Sequence, residues 1–178
     1  DPNEAGGNRP VVVIGQIGKD EKLDEMLAYY DINFEKISSD EGYVLVIDED
    51  QIIVAGKSGA GVFYGVQSLN QIIRGAAAEN LESISCAKIV DWPSLKYRGW
   101  QDDISRGPIP KMDYFKYQIR LMSQYKLNWF TLYTEHVFKL KKHPVIAPDD
   151  GITAEQVQEL VEYAKQYHVE VIGNFQSF

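Results

Sequence analysis

At 178 residues the chain has room for one domain or two small ones. An apolar fraction of 44%, with 11 Tyr, 7 Phe and 3 Trp, supports a packed core and excludes a disordered chain. The net charge of −8, from 18 basic and 26 acidic residues with no basic block, argues against a nucleic-acid partner.

Cys86 is the single cysteine, so neither an internal disulfide nor a cysteine zinc site can form, and an export compartment is neither required nor forbidden. No apolar run approaches the roughly 18 residues of a membrane span, and no signal peptide is visible. The chain opens at Asp1 without Met, as expected of an N-terminus already removed, for instance on export to the periplasm or the cell exterior. Asp1 to Arg9, rich in Gly, Asn and Pro, reads as a tail or linker.

Residues 10–93 carry the pattern of a small α+β domain of roughly 85 residues, near the lower size for independent stability. Val11 to Ile14 is a β-branched run that predicts a buried strand, and Gly15 to Gly18 turn the chain. Leu23, Met26, Leu27 and Tyr30 recur at helical spacing between Lys19 and Tyr30. Tyr43 to Ile47 and Gln51 to Ala55 predict a hairpin across the acidic turn Asp48-Glu49-Asp50. The run Gly56-Lys57-Ser58-Gly59-Ala60-Gly61 then opens a second helix, striped by Val62, Phe63, Val66, Leu69, Ile72 and Ile73 and capped by Gly75. A P-loop would need a glycine where Gln51 stands, so these glycines are better read as letting the chain enter a tightly packed helix. Ile84 to Val90 is the last strand of the unit, and Asp91-Trp92-Pro93 closes it.

From residue 94 the pattern changes to strand, helix, strand, helix, strand. Tyr97 to Asp103 is the first strand, and the helix from Lys111 to Lys126 is striped by Phe115, Ile119, Met122 and Tyr125. Asn128 to Tyr133 is the second strand, followed by a loop from Thr134 to Ile152 that holds Pro144 and Pro148. Thr153-Ala154-Glu155-Gln156 has the form of a capping box, opening a helix that buries Val157, Leu160, Val161 and Ala164. Val169 to Phe175 is the third strand. Such alternation predicts a parallel sheet of the α/β class. Three strands cannot close a (β/α)8 barrel, so residues 94–178 are expected to be the opening of a barrel in a longer protein, the alternative being an unusual small sheet.

Strand ends at the C-terminal rim of such a barrel carry its chemistry, which singles out Asp103, Arg106, Glu135, Asn174 and Gln176. The planar five-donor fork of Arg106 suits vicinal hydroxyls, though pairing with Asp102 or Asp103 would serve as well. His136 and His143 lack the spacing of a zinc helix, so no metal is expected, nor any other cofactor. His168 reads as a helix C-terminal dipole partner. Trp100, Trp129 and Tyr133 could stack on sugar faces, but aromatics on barrel strands more often fill the core.

The run Gly61-Val62-Phe63-Tyr64-Gly65-Val66-Gln67-Ser68-Leu69, then Asp91-Trp92-Pro93, then Tyr97-Arg98-Gly99 with Asp103 and Arg106, resembles glycoside hydrolase family 20. The passage Leu121-Met122-Ser123-Gln124-Tyr125-Lys126-Leu127-Asn128 is also similar to that family's approach to its second strand. The resemblance implies an α+β domain ahead of a catalytic βα-barrel. It also implies a terminal N-acetylhexosamine as substrate, and retaining hydrolysis in which the substrate's own 2-acetamido oxygen is the nucleophile. Arg106 would grip the hydroxyls of the terminal sugar, with Asp103 as its supporting acid. The family's second strand ends in a His-Leu-Thr-Asp-Asp type sequence, where this chain has Leu132-Tyr133-Thr134-Glu135-His136. Its catalytic Asp-Glu pair ends the fourth strand, so no catalytic residue is expected in this chain, and the chain alone should be inactive. A different glycosidase with a similar leading domain, such as an α-glucuronidase type, and a non-catalytic carbohydrate-binding module remain alternatives.

Overall fold

The computed structural model describes residues 10–175. The tail expected over Asp1 to Arg9, and the candidate Gln176, lie outside these residues. The chain divides into two compact units between Ser94 and Leu95.

The first unit is a four-stranded sheet with one helix on each face. Its strands are β1 (Val11–Gln16), β2 (Tyr43–Ile47), β3 (Gln51–Gly56) and β4 (Ala87–Asp91), in the order β1-β3-β2-β4. β1 runs parallel to β3, while β2 is antiparallel to both β3 and β4. Helix α1 (Glu21–Tyr29) sets Leu23 and Leu27 against Val44, Val46, Ile53 and Ala55. Helix α2 (Gly59–Ala78) sets Tyr64 and Leu69 against Tyr43, Leu45, Ile52 and Val54. Both faces of β2 and β3 are therefore covered, which is why these strands read as unbroken apolar runs rather than alternating ones.

The GVFYGV run acquires a physical reason here. A Cβ on Gly65 would stand 2.6 Å from Val54 Cγ1 and 3.1 Å from the Tyr43 ring, so only glycine lets α2 lie this close to the sheet. Beside it, Tyr43 Oη lies 2.6 Å from Ser68 Oγ and donates to Asp91 Oδ2 at 2.7 Å. Tyr64 and Ser68 are buried although the apolar stripe omitted them.

Three expectations for this unit need correction. β1 is an edge strand, and Val11, Val12 and Ile14 are 63%, 51% and 52% exposed. A β-branched run has the same composition whether its strand is central or at an edge. Gly75 does not cap α2, which continues to Ala78 through a run of alanines, and the left-handed residue beyond it is Asn80 (φ 54°). The last strand begins at Ala87, where its pairing with Ile47 begins, rather than at Ile84.

The second unit is a three-stranded parallel sheet, β5 (Gly99–Asp103), β6 (Trp129–Tyr133) and β7 (Glu170–Asn174), in that order. Helices α3 (Met112–Gln124) and α4 (Ala154–Lys165) connect them. Phe115, Ile119 and Met122 of α3 and Leu160 and Ala164 of α4 pack with Phe130 and Leu132 of β6. The capping box is formed, with Thr153 Oγ1 accepting from Gln156 N and Gln156 Oε1 from Thr153 N. Tyr125, expected in the stripe of α3, follows its last turn and is exposed. Gln118 is buried in its stead, donating to Asp102 Oδ2 at 2.9 Å. The stretch from Thr134 to Ile152 is more ordered than a plain loop. Phe138 and Ile152 bridge as parallel partners, and Pro144–Ile146 form a 3-10 turn.

At the entry to β5 the Arg98-Gly99 pair has a packing role. Arg98 Nε donates to Lys126 O at 2.9 Å and Nη1 to Leu95 O at 2.8 Å, tying the strand's start to the end of α3. A Cβ on Gly99 would fall 1.6 Å from Trp129 O, a contact that no side chain could make.

Candidate sugar-binding site at the strand ends of the second unit

Side chains alternate across a strand. In the register of this sheet Asp103, Tyr133 and Asn174 lie opposite one another, so all three share the face away from α3 and α4, at the C-terminal ends of β5, β6 and β7. Gln101, Trp129, Thr131 and Ile172 share that face. Asn174 Nδ2 donates to Gln101 Oε1 at 3.2 Å, and Trp129 packs edge to face on Tyr97 at 4.7 Å.

The loops past β5 and β6 bring in two charged groups. Arg106 Nη2 donates to Glu135 Oε1 at 2.9 Å, and Tyr133 Oη donates to the same oxygen at 2.7 Å. Arg106 is 69% exposed and Glu135 20%, so the carboxylate is the sheltered half of the pair. Glu135 sits in the left-handed region (φ 38°), an uncommon backbone state for a residue with a side chain. The turn is held around it by Thr134 N donating to Asn174 O at 3.1 Å and Val137 N to Thr134 O at 2.8 Å. The bond to Glu135, with burial adding to it, raises the Tyr133 pKa above its ordinary value.

Asp103 is held differently. Its Oδ1 accepts from the Ser105 hydroxyl at 2.6 Å and the Ser105 amide at 2.9 Å. These two bonds, with a smaller contribution from the nearby charge of Arg106, lower its pKa below the ordinary value. The direct partner of Arg106 is thus Glu135, not Asp102 or Asp103. The sequence could not show this, because the two partners are 29 positions apart and meet only through sheet register. Asp103 and Glu135 both border Arg106, while Asp102 points to the other face and meets Gln118.

His136 and His143 join no metal cluster; among the described residues no group of three or more His, Cys, Asp or Glu could hold an ion. Also among these residues, no helix is long and apolar enough to cross a membrane. His168 follows α4 in the left-handed region (φ 54°). A hollow of about 410 Å³ lies among Leu132, Phe138, Leu140, Val157, Val171 and Phe175. Among the described residues its lining carries no charged group, and Thr134 and Asn174 add polar groups to an otherwise apolar wall.

Residues 12–92 match the family model described as glycosyl hydrolase family 20, domain 2. Two curated relatives extend the match past that domain. A beta-hexosaminidase of Porphyromonas gingivalis is 30% identical over 155 residues, covering 75% of this chain and 20% of that protein. Beta-hexosaminidase subunit A2 of Dictyostelium discoideum is 26% identical over 152 residues, covering 79% and 27%. Residues 12–92 form a domain 2 of glycoside hydrolase family 20. Among solved structures, the family 20 β-N-acetylhexosaminidase of Streptomyces coelicolor A3(2) has a TM-score of 0.67 at 25% identity, over 76% of this chain and 31% of that one. A family 20 β-N-acetylglucosaminidase has a TM-score of 0.70 at 24% identity, over 96% and 33%, and speaks for the fold alone. The chain thus spans 27% of the length of the Dictyostelium discoideum relative and 20% of the Porphyromonas gingivalis one.

Proposed function

We propose that this chain supplies domain 2 and the first three strands of a catalytic (β/α)8 barrel to an exo-acting β-N-acetylhexosaminidase. On this reading the domains run 10–93 and 94–178, and the substrate is a terminal N-acetylhexosamine. The observation that carries the reading is the ion pair of Arg106 with Glu135 beside Asp103, at the ends where parallel strands of such a barrel deliver their chemistry.

In the mechanism that follows, this chain's own residues bind and orient rather than cleave. Arg106 retains N–H donors that Glu135 does not use, and these meet sugar hydroxyls. Asp103, kept ionised by Ser105, adds negative charge beside the guanidinium and an acceptor at the same rim. Held there, the sugar ring presents its 2-acetamido oxygen to the anomeric carbon, and an orienting carboxylate and a general acid on later strands complete the reaction.

The test is a panel of chromogenic glycosides offered to the full-length protein. The reading expects turnover of N-acetyl-β-glucosaminide and none of uronide. Uronide turnover would assign the chain to an α-glucuronidase type instead, and sugar binding without turnover of either would make it a carbohydrate-binding module.

A further inference from the structure

The hydroxyl of Tyr133 has a task that neither the fold nor the sugar grip so far accounts for. Tyr133 ends β6 on the open face, and its Oη meets Glu135 two residues on. Glu135 can be reached this way because its backbone takes the left-handed turn, folding its carboxylate back over the strand end. Residues held in such sparsely populated states are over-represented where geometry is part of function. Tyr133 and Arg106 both donate to Oε1 of Glu135, at 2.7 and 2.9 Å, which leaves Oε2 as an open acceptor among the described residues.

We propose that Tyr133 is a positioning residue: its phenol fixes the Glu135 carboxylate so that Arg106 as donor and Glu135 Oε2 as acceptor face two neighbouring sugar hydroxyls together. The inference rests on the sugar-grip reading given above. Without the phenol, Glu135 would keep a single tether to a mostly exposed arginine, and such surface pairs hold their geometry poorly. The cost would fall on binding, because the pair touches no reacting atom.

The experiment is a double-mutant cycle on hydrolysis of an N-acetyl-β-glucosaminide by the full-length protein, using Tyr133→Phe, Glu135→Ala and the double variant, with Arg106→Ala as reference. Tyr133→Phe should raise KM by about three- to tenfold, the range of one net hydrogen bond, and leave kcat within about twofold. In the Glu135→Ala background the same change should do nothing further, since its route is gone. A purely structural tyrosine would instead lower the melting temperature and add its effect in full to the double variant. That additivity, or an unchanged KM for Tyr133→Phe while Arg106→Ala raises it, overturns the positioning role alone. An unchanged KM for both Arg106→Ala and Glu135→Ala overturns the sugar grip itself, and the positioning role with it.

Discussion

Arg98 and Arg106 stand eight positions apart in one motif, and their surroundings give them opposite duties. Arg98 donates to backbone carbonyls at the start of β5, whereas Arg106, 69% exposed, donates to the Glu135 carboxylate at the far end. Arg98→Ala should therefore destabilise the protein by about 1.5–3 kcal/mol in urea titration, the range for hydrogen bonds from a charged group. Asp103 carries a pH signature. Its pKa is lowered, so the stability it contributes is present above the ordinary value of 3.8 and is lost as the pH falls below it. Carboxyl NMR should place its titration below 3.8, and Ser105→Ala should move the midpoint up towards that value. Tyr133 runs the other way. Its pKa is raised by Glu135, so the bond persists up to pH 10.0 and is lost only as the pH rises past the elevated value. Glu135→Gln should bring the phenol's titration back towards 10.0, read by ring-carbon NMR.

Helices α1, α3 and α4 were legible because each buries one stripe of apolar residues and faces solvent with the rest. Polar members of a stripe escape that reading. Gln118 lies three residues after Phe115 and four before Met122, squarely on the buried face of α3, and spacing alone could have found it. Tyr64 and Ser68, four residues apart on α2, could have been found the same way. The exposure of β1 was not legible, because a strand's place in a sheet depends on partners distant in sequence. The capping box of α4 was legible in full, since both of its bonds are local. Thr153→Ala should cost about 1 kcal/mol in chemical denaturation and, if α4 carries the effect, amide exchange should quicken most in its first turn.

Taken whole, the chain builds two sheets of different logic. In the first, antiparallel and parallel pairings mix between two helices, so the sheet is sealed on both faces in its middle strands. In the second, parallel strands share helices on one face, and the other face gathers Asp103, Tyr133 and Asn174 at one end. The alternation of elements made this second layout legible, and the resemblance to family 20 pointed to Arg106. The pairing of Arg106 with Glu135 needed the register of β5 on β6. The claim that matters most is that this pair holds the sugar. The direct measurement is kcat/KM of the full-length protein on p-nitrophenyl N-acetyl-β-glucosaminide, with and without Arg106→Ala. A fall of about a hundredfold or more, near 2.7 kcal/mol of lost transition-state binding, is the predicted result. An Arg106→Ala enzyme as efficient as the parent would contradict it.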